Sequence, residues 1–226
     1  MKNRIEQLAQ SLGADLFGMA SVERFEGAPK GFHPTDIYAK TRSVIVVAVS
    51  VPSEALFAQS RIPYSHVNSL CSKIVDTLTY NLSRALEKEG IYTIPLPSDD
   101  PSEYWDAEQQ RAQGVLSMRH AGMLAGLGKL GKNSLLINDR FGSMIQMGAL
   151  LTAEIIDPSP LADYDVCKPN CNACINACPE NAIENGAIIQ KRCRSASHLS
   201  NPRGFDIRGC FECRKKCPHV RGIRAR

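Results

Sequence analysis

No long apolar run is present. The longest, Val44–Val49, is flanked by Ser43 and Ser50, far short of the ~20 residues a helix needs to span a bilayer, so no membrane partner is expected. Nor does the chain begin with a signal peptide: it opens MKNRIEQLAQ. A cytoplasmic location is therefore expected, where thiols stay reduced and disulfides are disfavoured. Low-complexity tracts are absent too. Neither sign of charge dominates, since 27 Lys and Arg against 23 Asp and Glu leave +4. Much of that excess is local: Arg214, Lys215, Lys216, Arg221, Arg224 and Arg226 crowd the C-terminus. The crowding reads as a solvated tail, the alternative being a docking patch for an acidic electron donor or RNA.

What the chain does have is cysteine, nine in all, with eight in the last third. One run is Cys167-x3-Cys171-x2-Cys174-x3-Cys178-Pro179; the other is Cys193, then Cys210-x2-Cys213-x3-Cys217-Pro218. Cysteines three apart in a tight loop reach neighbouring corners of a [4Fe–4S] cube, and in two-cluster ferredoxins the cysteine before proline ligates the other cluster. By that analogy the first cluster takes Cys167, Cys171, Cys174 and Cys217. The second takes Cys193, Cys210, Cys213 and Cys178. Zinc is the alternative for C-x2-C pairs, but zinc sites do not call for cysteine-proline twice after x3. The ninth cysteine, Cys71, lies on an apolar helical stripe and reads as a buried thiol.

At 226 residues and 43% hydrophobic, the chain suits one medium domain plus a small one. Ile5, Leu8, Ala9 and Leu12 mark a helix closed by Gly13, and Asp15–Ala20 a short strand. Ser43–Val51 reads as a central buried strand. Val67, Leu70, Cys71, Ile74, Leu78, Leu82 and Ala85 form a helical stripe that follows Ser65 as N-cap and ends at Gly90. Ile91–Ile94 suggests a strand, 106–124 a helix weakened by Gly114 and Gly122, and Ser134–Asn138 and Ser143–Thr152 two more strands. Asp157–Pro160 reads as a linker, which puts a boundary between residues 1–158 and 159–226. Only short helices fit between the cysteines beyond it.

Gly126-x-Gly128-x-x-Gly131 matches the dinucleotide fingerprint, and Gly126-x4-Gly131-Lys132 nearly matches a P-loop. Both motifs must follow a strand and open a helix. Here the loop follows a predicted helix and leads into a predicted strand, and Asn133 stands where a P-loop has Ser or Thr. The glycines therefore read either as a tight helix-to-strand connection or as a close backbone approach to a large cofactor.

The segment AGLGKLGKNSLLINDRFGS (residues 125–143), GALLT (148–152) and the two cysteine runs together resemble epoxyqueuosine reductase and its short relatives. IEQLAQSLGADLFGMA (5–20) and TRSVIVVAVSVP (41–52) do so as well. The resemblance implies an α+β fold: a nitroreductase-like α/β N-terminal domain holding cobalamin, and a C-terminal ferredoxin-like domain whose two [4Fe–4S] clusters pass single electrons to it. It would bring Gly126, Gly128, Gly131, Lys132 and Asn133 close to the corrin. The family's VD-x-x-P-V-x-E-R-like segment, whose aspartate donates a proton, is replaced here by residues 96–120. Asp99, Asp100, Asp106 and Glu108 there read as an exposed acidic loop and helix start.

These readings make the protein an iron–sulfur oxidoreductase fed by a low-potential electron donor, with a small molecule or a corrinoid as acceptor. A non-enzymatic electron carrier or corrinoid-reducing adaptor is the alternative. The chain ends at Arg226 without the helical repeats that help longer relatives hold tRNA, so tRNA is not expected as a partner. No catalytic residue is assigned. Among the histidines His33, His66, His120, His198 and His219, His120 is the best candidate to ligate cobalt or donate a proton, and His219 to tune a cluster. Tyr64 and Trp105 are candidates to line a cofactor pocket, although ordinary packing suits both.

Overall fold

The computed structural model describes residues 1–223; Arg224 and Arg226 of the basic tail lie outside them. In chain order the elements are α1 (Lys2–Ser11), β1 (Leu16–Ser21), α2 (Pro34–Ile37), β2 (Ser43–Ser50), α3 (Ile62–Lys88), β3 (Thr93–Leu96), β4 (Tyr104–Asp106), β5 (Arg111–Gln113), α4 (Met118–Leu124), β6 (Lys129–Leu130), β7 (Leu136–Ile137) and β8 (Ile145–Thr152). The cysteine-bearing part follows with α5 (Ala173–Asn176), β9 (Ile183–Glu184), β10 (Ala187–Ile188), α6 (Gln190–Ser197), β11 (His198–Ser200), β12 (Asp206–Arg208) and α7 (Glu212–Lys215). Helix and sheet are thus mixed. Among the described residues no helix is long and apolar enough to cross a membrane.

The main sheet has the order β1-β2-β8-β3 with every pair antiparallel. Continuous burial of β2 on both faces is more typical of parallel sheets. Here it arises because packed elements cover both faces. Ile45, Val47 and Val49 point into a core with Ile5 and Ala9 of α1 and with Val75, Leu78, Leu82 and Leu86 of α3. Val44, Val46 and Ala48 point the other way, against Ala121 of α4, Ala125 and Leu127. Alternate residues on a strand face opposite sides, so one apolar run serves two cores.

The long helix starts at Ile62, earlier than its pattern suggested, because Pro63 is tolerated in a first turn. Its buried stripe runs Cys71, Val75, Leu78, Leu82, Leu86 at helical spacing. Leu70 and Ile74, expected inside, sit about 100° round the helix and are 43% and 44% exposed.

The helix expected over 106–124 forms only as α4. Residues 104–113 instead make the hairpin β4–β5, which pairs Trp105 with Ala112 and Tyr104 with Gln113. The run DAEQQR carries no apolar stripe to bury. The Asp106 carboxylate accepts from the Gln109 N–H at 2.9 Å, and Gln110 takes φ +45°, a turn conformation that a helix cannot contain.

Asp157–Pro160 is a fixed strap, not a loose linker. Ser159 N–H donates to the Met19 carbonyl at 2.8 Å, and Met19 N–H to Ser159 Oγ at 3.1 Å. Beyond the strap, Val166, Cys217 and Val220 join the same buried cluster as Ile45 and Leu150. The cysteine-bearing segment therefore packs directly into the core of the sheet.

Candidate cluster sites and ligand cavity

Two one-turn helices, α5 and α7, pack together, each carrying the second cysteine of a C-x2-C pair. Cys167, Cys171, Cys174 and Cys217 surround one small cavity, with Lys132, Asn133 and Ile137 on its wall. The charges of Cys167, Cys174 and Cys171 all act on Cys217. Those of Cys193 and Cys178 act on Cys210 and Cys213. Each quartet thus draws its fourth thiol from the other run, at the cysteine preceding proline. The Ala182 N–H donates to Cys178 Sγ at 3.2 Å, and Cys193 Sγ lies 3.6 Å from Ser197 Oγ.

All nine cysteines are free thiols. Burial pushes the Cys213 thiol up to about 12, against the opposing pull of Arg214, and burial likewise raises Cys174, Cys210 and Cys217. Thiolates in such surroundings need a cation in place of the proton. Among the described residues no three His, Cys, Asp or Glu converge as they would on a single ion. Four sulfurs ringed around a cavity suit an iron–sulfur cube.

The glycine loop serves this first quartet. Lys132 Nζ donates to the carbonyls of Pro169 and Cys171, both at 2.9 Å. Asn133, 1% exposed, donates to the Cys213 carbonyl. A Cβ at Gly131 would lie 3.7 Å from Cys167 Sγ. Gly126, at φ +81°, abuts the Pro160 carbonyl, which a Cβ would approach to 2.0 Å, and a Cβ at Gly128 would meet the Ile137 carbonyl at 2.3 Å. These glycines permit chain-on-chain contact. None of the five residues expected near a corrin lines the large cavity described next.

That cavity, about 1200 Å³, is walled by the strand and helix part on one side and by the second cysteine quartet's segments on the other. Arg194 beside Cys193, Arg208 near Cys210 and Arg214 beside Cys213 all line it. An arginine within two residues of three of the four cysteines was a signal in the sequence that went unread. Burial, then the Arg119 charge, hold the wall residue His120 below the ordinary histidine range, and its Nδ1 lies 2.7 Å from Ser117 Oγ. Asp99 lies in an exposed loop as expected, its side chain 48% exposed, and also reaches the cavity wall. Burial raises its carboxyl while Arg208, 3.0 Å away, pulls it down. His198 lines the cavity between Ser197 and Arg208.

Sequence reasoning also missed Ser143, which lines the cavity, is 2% exposed, and has an Oγ without a hydrogen-bond partner among the described residues. The Arg194 Nε is equally unpartnered. Tyr64 is buried, Trp105 is 56% exposed, and neither lines the large cavity. Tyr64 packs on Phe211 at 4.6 Å between centroids, and Trp105 lies beneath Arg194. His33 caps α2, and Cys71 is a buried core thiol. The basic tail is not simply solvated: Arg214 lines the cavity, and Arg221 pairs with Glu54 and covers the Phe57 ring.

No protein-family model matches the chain. It is 32% identical over 258 residues to the epoxyqueuosine reductase of Lactococcus garvieae, covering 99% of this chain and 70% of that one. To the Staphylococcus aureus epoxyqueuosine reductase it is 26% identical, covering 99% of this chain and 65% of the other, so it spans just under two thirds of that relative's length. The solved epoxyqueuosine reductase of Streptococcus thermophilus matches at TM-score 0.69 and 21% identity, over 99% of this chain and 67% of that one. A reductive dehalogenase, described as suggesting a mechanism for B12-dependent dehalogenation, matches at TM-score 0.64 and 17% identity, over 96% of this chain and 31% of that one. A further match, at TM-score 0.68 and 20% identity over 98% of this chain and 66% of the other, is an epoxyqueuosine reductase holding an epoxyqueuosine-modified tRNA-Tyr stem loop. That complex overturns the expectation that tRNA is not a partner, which rested on where the chain ends. Its fold, its paired cysteine runs and its likeness to these relatives together make the chain a member of the epoxyqueuosine reductase family.

Proposed function

We propose that the protein is an iron–sulfur reductase. Cys167, Cys171, Cys174 and Cys217 hold one [4Fe–4S] cluster, and Cys193, Cys210, Cys213 and Cys178 the other. Single electrons pass from the second cluster to a cofactor or substrate in the large cavity. On this reading residues 1–158 act as a nitroreductase-like cofactor domain and 159–226 as a ferredoxin-like domain, working in the cytoplasm with a low-potential donor. The observation that carries the reading is the shared wall: the segments bearing Cys193, Cys210 and Cys213 also line the cavity.

The cavity suits cobalamin. Its volume of about 1200 Å³ exceeds the ~300–1,000 Å³ usual for small-ligand sites, and Ser143 Oγ and Arg194 Nε have no hydrogen-bond partner among the described residues. Bound cobalamin would supply a low-potential cobalt centre. Around it, Asp99, His120 and His198 are wall groups suited to moving a proton: burial raises the Asp99 carboxyl and lowers the pKa of both histidines. Lys132 would brace the first cluster's loop, and Asn133 the helix that carries Cys213 of the second. An epoxyqueuosine-bearing tRNA stem loop, the ligand of a solved relative, is the leading substrate class, with a small molecule or a free corrinoid as the other acceptors.

Anaerobic reconstitution should load about eight irons. Titration with cobalamin, followed by visible absorption and EPR, should give saturable binding and then cobalt reduction when the clusters are reduced. Full iron loading without cobalamin binding would discard the corrinoid part of the reading. Cobalt reduction with no turnover of a modified stem loop would make the protein a corrinoid-reducing adaptor.

A further inference from the structure

The cavity wall carries more arginines than aspartates. Arg111 is exposed on the β4–β5 hairpin, and Arg194 bonds Gln190 and covers the Trp105 ring. Arg24 donates to the carbonyls of Leu124 and Ser159 at 2.6 and 2.8 Å. Arg208 pairs with Asp99. Two differ. Arg119, partly buried on α4, donates from Nη1 only to the Ser134 carbonyl, at 2.7 Å. Arg214, partly buried on α7, makes no side-chain hydrogen bond or ion pair with the described residues, and none of the four ion pairs involves either arginine. They come from different parts of the chain, one from the strand and helix part and one from the second cysteine run, and both line this one cavity; after burial, the Arg214 charge lowers the Arg119 pKa further.

We infer that Arg119 and Arg214 form an oxyanion subsite in the cavity wall, built to hold a carboxylate or phosphate group of the ligand. This deepens the reading above, since it takes the cavity to be the ligand site. Two guanidinium groups partly withdrawn from water on one cavity, neither paired with a carboxylate of the described residues, are unfavourable in the free protein. An oxyanion between them reverses the sign of that interaction and can accept paired N–H bonds from each planar fork. Ser143, unpartnered on the same wall, supplies a further hydroxyl to the ligand. Because the two arginines belong to different parts of the chain, the anion would also tie the ligand's position to the second cluster.

Isothermal titration of the reconstituted holoprotein with inorganic phosphate and, separately, with benzoate, at constant ionic strength in chloride, tests the subsite and distinguishes the two anion classes. Saturable binding of at least one is expected, weakened tenfold or more by Arg119→Gln, less by Arg119→Lys, and unchanged by Arg84→Gln on α3. Should Arg119→Gln fail to fold, phenylglyoxal labelling of the unmodified protein answers the same question. The bound anion should protect Arg119 and Arg214, read by peptide mass, and leave Arg84 labelled. No saturable binding of either anion, equal affinity in Arg119→Gln, or no protection at these arginines overturns the inference. Iron content and EPR on the same samples keep the two ideas apart. Anion binding without reducible clusters would sink the redox reading alone, and intact reducible clusters without anion binding would sink the subsite alone.

Discussion

Asn133 donates from Nδ2 to the Cys213 carbonyl at 3.2 Å while its Oδ1 accepts from the Leu135 N–H at 3.3 Å. One buried side chain thus joins the glycine loop to the helix of the second cysteine run. Replacing it by alanine strands the carbonyl and the N–H. Asn133→Ala should cost about 1–3 kcal/mol, and in a protein of this size each kcal/mol lowers Tm by about 2–4 °C. Thermal melts of the reconstituted protein provide the check, and an unchanged Tm would remove Asn133 from the interface.

Gly126→Ala and Gly128→Ala should destabilise even in the absence of any cofactor. Gly126 combines a left-handed φ with a carbonyl 2.0 Å from where the Cβ would go, and the backbone conformation alone costs about 1–2 kcal/mol. Urea denaturation of cofactor-free protein separates this packing role from a binding role, which would leave cofactor-free stability intact.

Cys178→Ala should lower iron from about eight to about four per chain and leave the EPR signal of the first quartet. Cys178 follows α5 in sequence, yet its charge bears on Cys210 and Cys213. If the lost signal belonged to the quartet of Cys167, Cys171 and Cys174, the crossed ligation would be wrong.

His120 should make the fold acid-sensitive below about pH 6.5. Burial and Arg119 lower its pKa from 6.5, so the native imidazole stays neutral where the unfolded one has taken a proton. The unfolded chain then binds more protons, and stability falls as pH drops from 6.5 towards the depressed native pKa. His198 shifts in the same direction. His120→Asn should flatten the stability curve between pH 7 and 5, measured by urea midpoints. Parallel curves for the two proteins would exclude the effect.

Ser143→Ala should have opposite effects with and without ligand. Removing a buried hydroxyl that has no partner should leave the ligand-free protein as stable or more so by about 1 kcal/mol, while weakening whatever the hydroxyl holds when the cavity is filled. Paired denaturation and cobalamin titrations read both signs. A loss of stability without ligand would mean that the hydroxyl serves the fold.

Local pattern made much of this legible. The β-branched run around Ile45, the helix of Ile5 and Ala9, the buried Cys71 and the grouping of eight cysteines all follow from spacing and hydrophobicity. What stayed hidden depends on distant partners. Leu70 and Ile74 fit a helical stripe, but the sheet selects the neighbouring face through Val75 and Leu78. The Trp105–Ala112 hairpin replaces a helix because its polar run has no core to meet. The glycines from Gly126 to Gly131 look alike as cofactor cradle or packing contact until Pro160 and Ile137 come against them. Arg119 and Arg214, 95 positions apart, come to line one cavity only through the fold.

The Gln190 side chain, at the start of α6, bonds both the N–H and the carbonyl of Ala112, each at 3.1 Å, and Cys193 follows one turn later on the same helix. The hairpin and the second quartet therefore share a single rigid strut. On the proposed function, iron supply would govern more than electron flow: a chain denied its metal would lose the anchorage of α6, and with it the hairpin that borders the cavity. Under iron starvation such a protein would fail first as a receptor, releasing its substrate untouched instead of holding it beside a dead centre.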